Sequence, residues 1–259
     1  MKLIFSKYQG AGNDFVMVDN RDKNYFLSQA QIEQLCDRRF GIGADGLILL
    51  ENSQGVDFQM IYYNADGHLG SMCGNGGRCV VAFARELRVI TDNCNFVAYD
   101  GLHSAKCIEG DLVSLKMTNV SSVEKLNDAW ILDTGSPHLV IFKDNIKQIN
   151  VKESGAAIRN SPSFVEEGIN VNFVEYKGDE LFLRTYERGV EDETLACGTG
   201  AVATAIAAFE AGVINSETVK VNVLGGQLEV NFSKHKAGSY TDIYLTGGAK
   251  FVFQGEVDV

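Results

Sequence analysis

The 259-residue chain lacks the features that mark several common ligand-binding classes. No Lys/Arg cluster stands out, and 34 acidic against 23 basic residues leave a net charge of −11. Such a surface repels phosphate backbones, so no nucleic acid partner is expected. The longest apolar stretches, such as Ala203–Phe209, fall far short of the roughly 20 residues that span a bilayer, so no membrane association is expected. The N-terminus runs straight into a strand-like Leu3-Ile4-Phe5 without a signal-peptide pattern, and the expected location is cytoplasmic. There is no CxxC pair, and the four histidines (His68, His103, His138 and His235) are isolated, so no metal site is expected. Gly74-Asn75-Gly76-Gly77-Arg78 is glycine-rich but lacks the Gly-Lys-Ser/Thr of a P-loop. Gly41-Ile42-Gly43-Ala44-Asp45-Gly46 spells G-x-G-x-x-G, yet a helix precedes it and a strand follows. The dinucleotide fingerprint needs the reverse order, so this is a helix-to-strand turn and no nucleotide cofactor is expected.

What the chain does have is an ordinary globular composition, 45% hydrophobic and 22% charged, and a phrase that occurs twice. Cys73-Gly74-Asn75-Gly76 opens one Ala/Val-rich stretch and Cys197-Gly198-Thr199-Gly200 opens another, 124 positions on. Three further landmarks recur at an offset of 123: Asn64 with Glu187, Gly55 with Gly178, and Gly12-Asn13-Asp14-Phe15 with Gly135-Ser136-Pro137-His138. A recurrent strand–turn–helix unit would not by itself fix one spacing, so the chain reads as two related halves. The length accommodates two domains of about 120 residues, above the size at which a core becomes marginal.

Each half is expected to be strand-rich with one long apolar helix. Ser28-Gln29-Ala30-Gln31 has capping-box form and starts a helix through about Arg39. Strands are expected at Gly46–Glu51 and Asp57–Asn64, then a helix from about Asn75 to Val89, then strands at Cys94–Tyr99, Leu102–Ile108 and Leu112–Met117. The second half repeats the scheme, with strands near Trp130–Thr134, His138–Phe142, Ile169–Tyr176 and Glu180–Glu187 and a short helix near Lys152–Arg159. A helix at about Thr199–Gly212 and strands from Thr218 onward complete it. The second long helix is apolar nearly all round, which marks it as buried. A curved sheet wrapped around a central helix fits this order. The boundary is placed near Thr118–Asp128, where polar residues dominate and no period is visible.

Six cysteines without a secretory signal are expected to be reduced. Cys36, Cys94 and Cys107 lie in or beside regular elements and read as small buried hydrophobes, and Cys79 packs inside the first helix. Cys73 and Cys197 are different, because each stands where a helix begins. A helix N-terminus offers unpaired N–H groups and positive partial charge, which stabilise a thiolate or a bound anion. The adjoining glycines let a carboxylate approach the backbone without meeting a Cβ. Two such thiols suit acid/base chemistry that inverts a carbon centre.

These residues resemble those of the diaminopimelate epimerases, along the whole chain. The likeness is carried by Gly10-Ala11-Gly12-Asn13-Asp14-Phe15, Gly41-Ile42-Gly43-Ala44-Asp45-Gly46, Tyr63-Asn64-Ala65-Asp66-Gly67 and Met72-Cys73-Gly74-Asn75-Gly76-Gly77-Arg78-Cys79. It continues through Pro137-His138, Asn170-Val171-Asn172-Phe173, Tyr186-Glu187-Arg188-Gly189 and Ala196-Cys197-Gly198-Thr199-Gly200-Ala201. The resemblance implies an α/β (α+β) fold of two pseudo-symmetric domains, each a barrel-like, mainly antiparallel sheet around a central helix, with the active site in the interdomain cleft. The C-terminal strand is expected to return to the first domain, giving domains of residues 1–118 plus 248–259 and 119–247. The implied activity is interconversion of LL- and meso-diaminopimelate without a cofactor, in lysine and cell-wall precursor synthesis, by a cytoplasmic homodimer.

By the same resemblance, Cys73 and Cys197 are the catalytic bases, one acting as thiolate and the other as thiol, and His138 and Glu187 adjust their pKa values. Gly74, Asn75, Gly198 and Thr199 are expected to bind the reacting end of the substrate. Asn13, Asn64, Asn170, Glu187 and Arg188 match the remaining substrate contacts, with Arg188 gripping the distal carboxylate. Two positions depart from the family pattern: Ser136, where many members have Asn, and Gly46, where a Gln-type contact is usual. The alternatives are a proline racemase-like or other two-cysteine amino-acid racemase, and, in a different class, a non-catalytic amino-acid-binding or thiol redox protein. The proline racemase-like pattern has His at the place of Asn75 and Ser-Pro where this chain has Leu195-Ala196.

Overall fold

The computed structural model describes residues 2–235 and 238–259. Two compact units are present: residues up to Leu115 together with Gly247–Val259, and Lys116–Thr246. The first contains β1 (Lys2–Gly10), β2 (Asn13–Asp19), α1 (Gln29–Cys36), β3 (Gly46–Glu51), β4 (Phe58–Asn64), α2 (Gly74–Glu86), β5 (Asn93–Ala98), β6 (Gly101–Cys107) and β7 (Leu112–Lys116). The second contains β8 (Val123–Leu126), β9 (Ala129–Asp133), β10 (Pro137–Phe142), α3 (Val151–Arg159), β11 (Asn170–Lys177), β12 (Glu180–Glu187), β13 (Asp192–Thr194), α4 (Gly198–Glu210), β14 (Thr218–Val223), β15 (Gly226–Lys234) and β16 (Tyr240–Gly248). The last strand, β17 (Lys250–Asp258), pairs antiparallel with β1 in the first unit.

The halves share a strand order. In the first, β2 and β3 are parallel, β3 and β4 antiparallel, β4 and β5 parallel, and β5 and β6 antiparallel. In the second, β10, β11, β12, β14 and β15 repeat that alternation. The register repeats as well: Phe15 faces Gly46 and Ile48 faces Tyr62, while His138 faces Asn170 and Asn172 faces Thr185. The duplicated sequence landmarks therefore mark equivalent positions in space within each unit. β17 beside β1 occupies the place that β8 takes beside β9.

Each sheet wraps its own long helix. α2 packs on β1, β2, β3, β4, β6 and β17, and α4 packs on β9, β10, β11, β12, β14 and β15. Every residue of α4 from Gly200 to Ala208 is buried, as its all-round apolar surface requires. A shorter helix covers the outer face of each sheet: Ile32, Leu35 and Cys36 of α1 meet Val16, Val18, Leu47 and Leu49. Val151 of α3 joins Val171, Phe173 and Tyr186. β3 is thus buried on both faces, which explains its unbroken apolar run Leu47-Ile48-Leu49-Leu50.

Most elements fall within one to three residues of the sequence expectation, and two differences have clear causes. α1 ends at Cys36 because Asp37 Oδ1 takes the N–H groups of Arg39 and Phe40, at 2.7 Å each, and starts a turn. The stretch Thr118–Asp128, read as a boundary without period, contains β8, whose residues are mostly exposed and whose extended form comes from pairing with β9.

Candidate active site

In the first unit the chain leaves β4, and Cys73 caps α2 in an extended conformation (φ −95°, ψ 126°). Gly77 N–H donates to the Cys73 carbonyl at 2.7 Å, so the helix begins there and the first-turn N–H groups lie beside the thiol. The Asn75 amide donates to Asn13 Oδ1, and its own Oδ1 accepts from Arg78 Nη2 at 2.7 Å. Asn13 Nδ2 donates to Asp45 Oδ2 at 2.8 Å, and Arg38 bridges Asp45 and Asp14. The expected contacts Asn13, Gly74 and Asn75 are therefore joined to one helix mouth by a polar chain. Asn64 is exposed at the end of β4, where its backbone closes a turn with Gly67 and His68.

In the second unit Cys197 caps α4 (φ −115°, ψ 112°), and its Sγ accepts from Gly200 N–H at 3.4 Å. Sγ also lies 3.4 Å from Thr199 Oγ1, which is 2.9 Å from His138 Nε2. The other ring nitrogen, Nδ1, is 3.0 Å from Asn172 Nδ2. The amide orientation is fixed from both ends, because Nδ2 donates to the Leu139 carbonyl at 3.1 Å and Oδ1 accepts from Thr185 Oγ1 at 2.9 Å. Nδ1 is therefore an acceptor, the ring carries its proton on Nε2, and Nε2–H donates to Thr199 Oγ1. The Thr199 hydroxyl proton is then left for the Cys197 sulfur. Burial, reinforced by the Arg188 charge, pushes the His138 pKa down to about 3, so the imidazole is neutral near pH 7. An amide donor on Nδ1 favours that same neutral form.

The remaining expected residues sit near the ends of β11 and β12. Asn170 is buried; its Nδ2 donates to Ser136 Oγ at 2.8 Å and to the Pro137 carbonyl at 3.1 Å, and its Oδ1 accepts from Arg188 N–H at 2.9 Å. Ser136 thus receives a hydrogen bond within the protein. Arg188 is exposed and its Nη1 donates to the Glu167 carbonyl at 2.8 Å. Burial raises the Glu187 carboxyl above its usual range, against a smaller pull from Thr194. At Gly46 an added Cβ would lie 2.4 Å from the Tyr63 carbonyl and 2.5 Å from the Tyr62 ring, so no side chain fits there without movement.

Cys36, Cys79, Cys94 and Cys107 are buried and unbridged. Burial pushes Cys36 up to about 11 and Cys79 and Cys94 up to about 12, which keeps them as unreactive thiols. Among the described residues no group of three or more His, Cys, Asp or Glu side chains is placed to hold a metal ion. No helix among them is long and apolar enough to cross a membrane.

The sequence model of the diaminopimelate epimerase family matches residues 5–123 and 130–252. The chain belongs to the diaminopimelate epimerase family. It is 54% identical over 257 residues to a diaminopimelate epimerase of Flavobacterium psychrophilum, covering 98% of this chain and 99% of that one. It is 44% identical to that of Chlorobaculum tepidum, covering 96% and 98%. Solved structures share the fold at low identity. A phenazine biosynthesis protein of the PhzF family from Bacillus anthracis superposes with a TM-score of 0.76 at 14% identity, covering 100% of both chains. A hydroxyproline epimerase from Agrobacterium vitis gives 0.69 at 15% identity, covering 99% of this chain and 92% of that one.

Three residues beside these family positions had no role in the sequence reading. Asn172 and Thr185 look like ordinary polar strand residues, and only the register brings them to His138. Asn172 shares a strand face with Asn170, two residues away, which is the faint signal it gives. Arg78 was visible as the one charge in the first half of α2, well before Arg85 and Glu86 at its C-terminal end.

Proposed function

We propose that this chain interconverts LL- and meso-diaminopimelate without a cofactor, with Cys73 and Cys197 acting on opposite faces of one α-carbon. The observation that carries this reading is the pair of thiols, each capping a buried helix at equivalent positions of two related units. One sulfur, as thiolate, takes the α-proton: the C–H bond breaks, an S–H bond forms and the electron pair stays on carbon. The other gives its proton to the opposite face, and the reverse direction exchanges the roles. The carbanion is stabilised by the first-turn N–H groups of Gly74, Asn75, Gly198 and Thr199 at the substrate carboxylate, and by exclusion of water. The Cys197 thiolate is supported by Gly200 N–H and by the Thr199 hydroxyl, whose orientation neutral His138 sets. Arg188 holds the distal carboxylate, with Asn13, Asn64, Asn170 and Glu187 completing recognition.

We propose further that the enzyme is a cytoplasmic homodimer, which Ile4, Phe251, Val252 and Phe253 support as exposed apolar residues on the paired β1 and β17. Incubation of the reduced protein with LL-diaminopimelate tests the activity: meso product is expected by proton NMR. Turnover of proline but not of diaminopimelate would move the substrate. Silence with both would contradict the enzyme reading.

A further inference from the structure

Arg78 lies one turn into α2 and is fully buried, at 0% exposure. A guanidinium keeps its proton at any ordinary pH, so a full positive charge sits in the interior, where it is costly unless an anion faces it. Its hydrogen bonds go to neutral oxygens, Nη2 to Asn75 Oδ1 at 2.7 Å and Nη1 to the Gly74 carbonyl at 3.3 Å. Its Nε meets no acceptor, and no ion pair among the described residues includes it. Its hold on the Gly74 carbonyl and Asn75 Oδ1 keeps the guanidinium at the first turn of α2, which Cys73 begins, and the sulfurs whose charge would act on it there are those of Cys79 and Cys73. Burial keeps Cys79 a thiol, so Cys73 is the group able to supply the missing negative charge. The equivalent position of α4 is Val202, and there the thiol is met by neutral donors instead.

We propose that the Arg78 guanidinium is the buried counter-charge of a Cys73 thiolate, and that Cys73 is thereby ionised before substrate arrives. Arg78 is then a positioning residue that acts through Cys73 and is itself held by Asn75 and the Gly74 carbonyl. When the sulfur takes the α-proton, the negative charge passes to the substrate and Arg78 keeps its own proton throughout. The inference rests on the two-thiol reading, but its test needs no substrate.

Alkylation of each thiol by iodoacetamide is followed from about pH 5 to about pH 10, with the Cys73 and Cys197 peptides quantified separately by mass spectrometry. Wild-type Cys73 is expected to titrate clearly below the ~8.5 of an ordinary thiol. In Arg78→Gln the Cys73 rate at neutral pH should fall about tenfold, the equivalent of one pKa unit, with the Cys197 profile unmoved. Arg78→Lys should recover part of the loss. A wild-type Cys73 profile at or above that of an ordinary thiol overturns the proposal even if Arg78→Gln does not fold. A folded Arg78→Gln with unchanged Cys73 reactivity overturns it too, and a raised KM in that case would assign the charge to the substrate carboxylate. Arg78-dependent reactivity in a protein that fails to epimerise diaminopimelate would leave the counter-charge standing and remove only the proposed activity.

Discussion

The two helix mouths are built on one backbone plan from opposite materials. Behind α2 the sheet presents Phe15, Ile48 and Tyr62; at the equivalent places behind α4 it presents His138, Asn172 and Thr185. A Cβ added to Gly76 would meet Ile48 Cδ1 at 3.0 Å, whereas one added to Gly200 would meet Asn172 Oδ1 at 2.7 Å. On the helix itself the contrast reverses, with Arg78 in α2 and Val202 in α4. The first mouth therefore pairs an apolar wall with a fixed cation, and the second pairs a neutral hydrogen-bonded relay with an apolar helix. A duplicated fold preserves where the thiols stand while leaving each half to develop its own electrostatics. For the proposed reaction, which needs one thiolate and one thiol together, that difference would be useful.

Removing either sulfur should break the comparison most severely, because the proposed reaction uses both thiols although their surroundings differ. Cys73→Ala and Cys197→Ala are each expected to lower kcat/KM by about 10³-fold, the range of general acid–base catalysis, in an NMR assay of epimerisation. A much smaller loss in one variant would mean that only one half does the chemistry.

The next effect separates the halves by pH. An unfolded histidine takes a proton near 6.5, but buried His138 resists until about 3. Unfolding therefore takes up a proton in this window, so the stabilisation is complete above about pH 6.5 and is lost as pH falls toward 3. By pH 4 the loss should reach about 3 kcal/mol, read from thermal melting midpoints. Replacing His138 by Phe, the residue of the first half, should remove that part of the slope.

Exchanging the wall residues sharpens the contrast further. Asn172→Leu leaves the His138 Nδ1 and the Thr185 hydroxyl unpaired, which should cost about 2 kcal/mol and slow Cys197 alkylation while sparing Cys73. The converse change, Ile48→Asn, places an unpartnered amide against apolar neighbours and should cost about 2–3 kcal/mol without altering Cys197. Equal effects on both thiols from either variant would argue for general loosening.

The smallest expected difference lies between two glycines. Gly200→Ala drives a methyl into a fixed amide oxygen and should cost about 1–3 kcal/mol, whereas the Ile48 methyl can yield to Gly76→Ala at about 1 kcal/mol or less. Urea midpoints would rank them, and the reverse order would contradict the rigidity assigned to the Asn172 contact.

Much of this was legible in the chain. Nearly the same offset, 124 between Cys73 and Cys197 and 123 between Gly55 and Gly178, aligns the strands, because a duplicated fold keeps its turns, and both glycines adopt the positive φ those turns need. β8 was not legible from pattern: it is largely exposed, so its identity comes from the strand beside it, whereas β17 falls among the strands expected after Thr218 and only its return to the first unit rested on family likeness. The relay was hidden for a different reason. His138, Asn172 and Thr199 lie far apart in sequence, and their contacts exist only once β10, β11 and α4 have packed. Arg78 could be read as an anomaly, but only its burial and its neutral partners give the anomaly a meaning.

The most direct test of a two-thiol reaction is to run it in D2O from LL-diaminopimelate and analyse both species before equilibrium. The account predicts deuterium at one α-carbon of the meso product while the remaining LL substrate keeps its protium, because the thiol that donates differs from the one that accepts. Equal early washout of protium from substrate and product would mean that a single base serves both faces, and the central claim would fall.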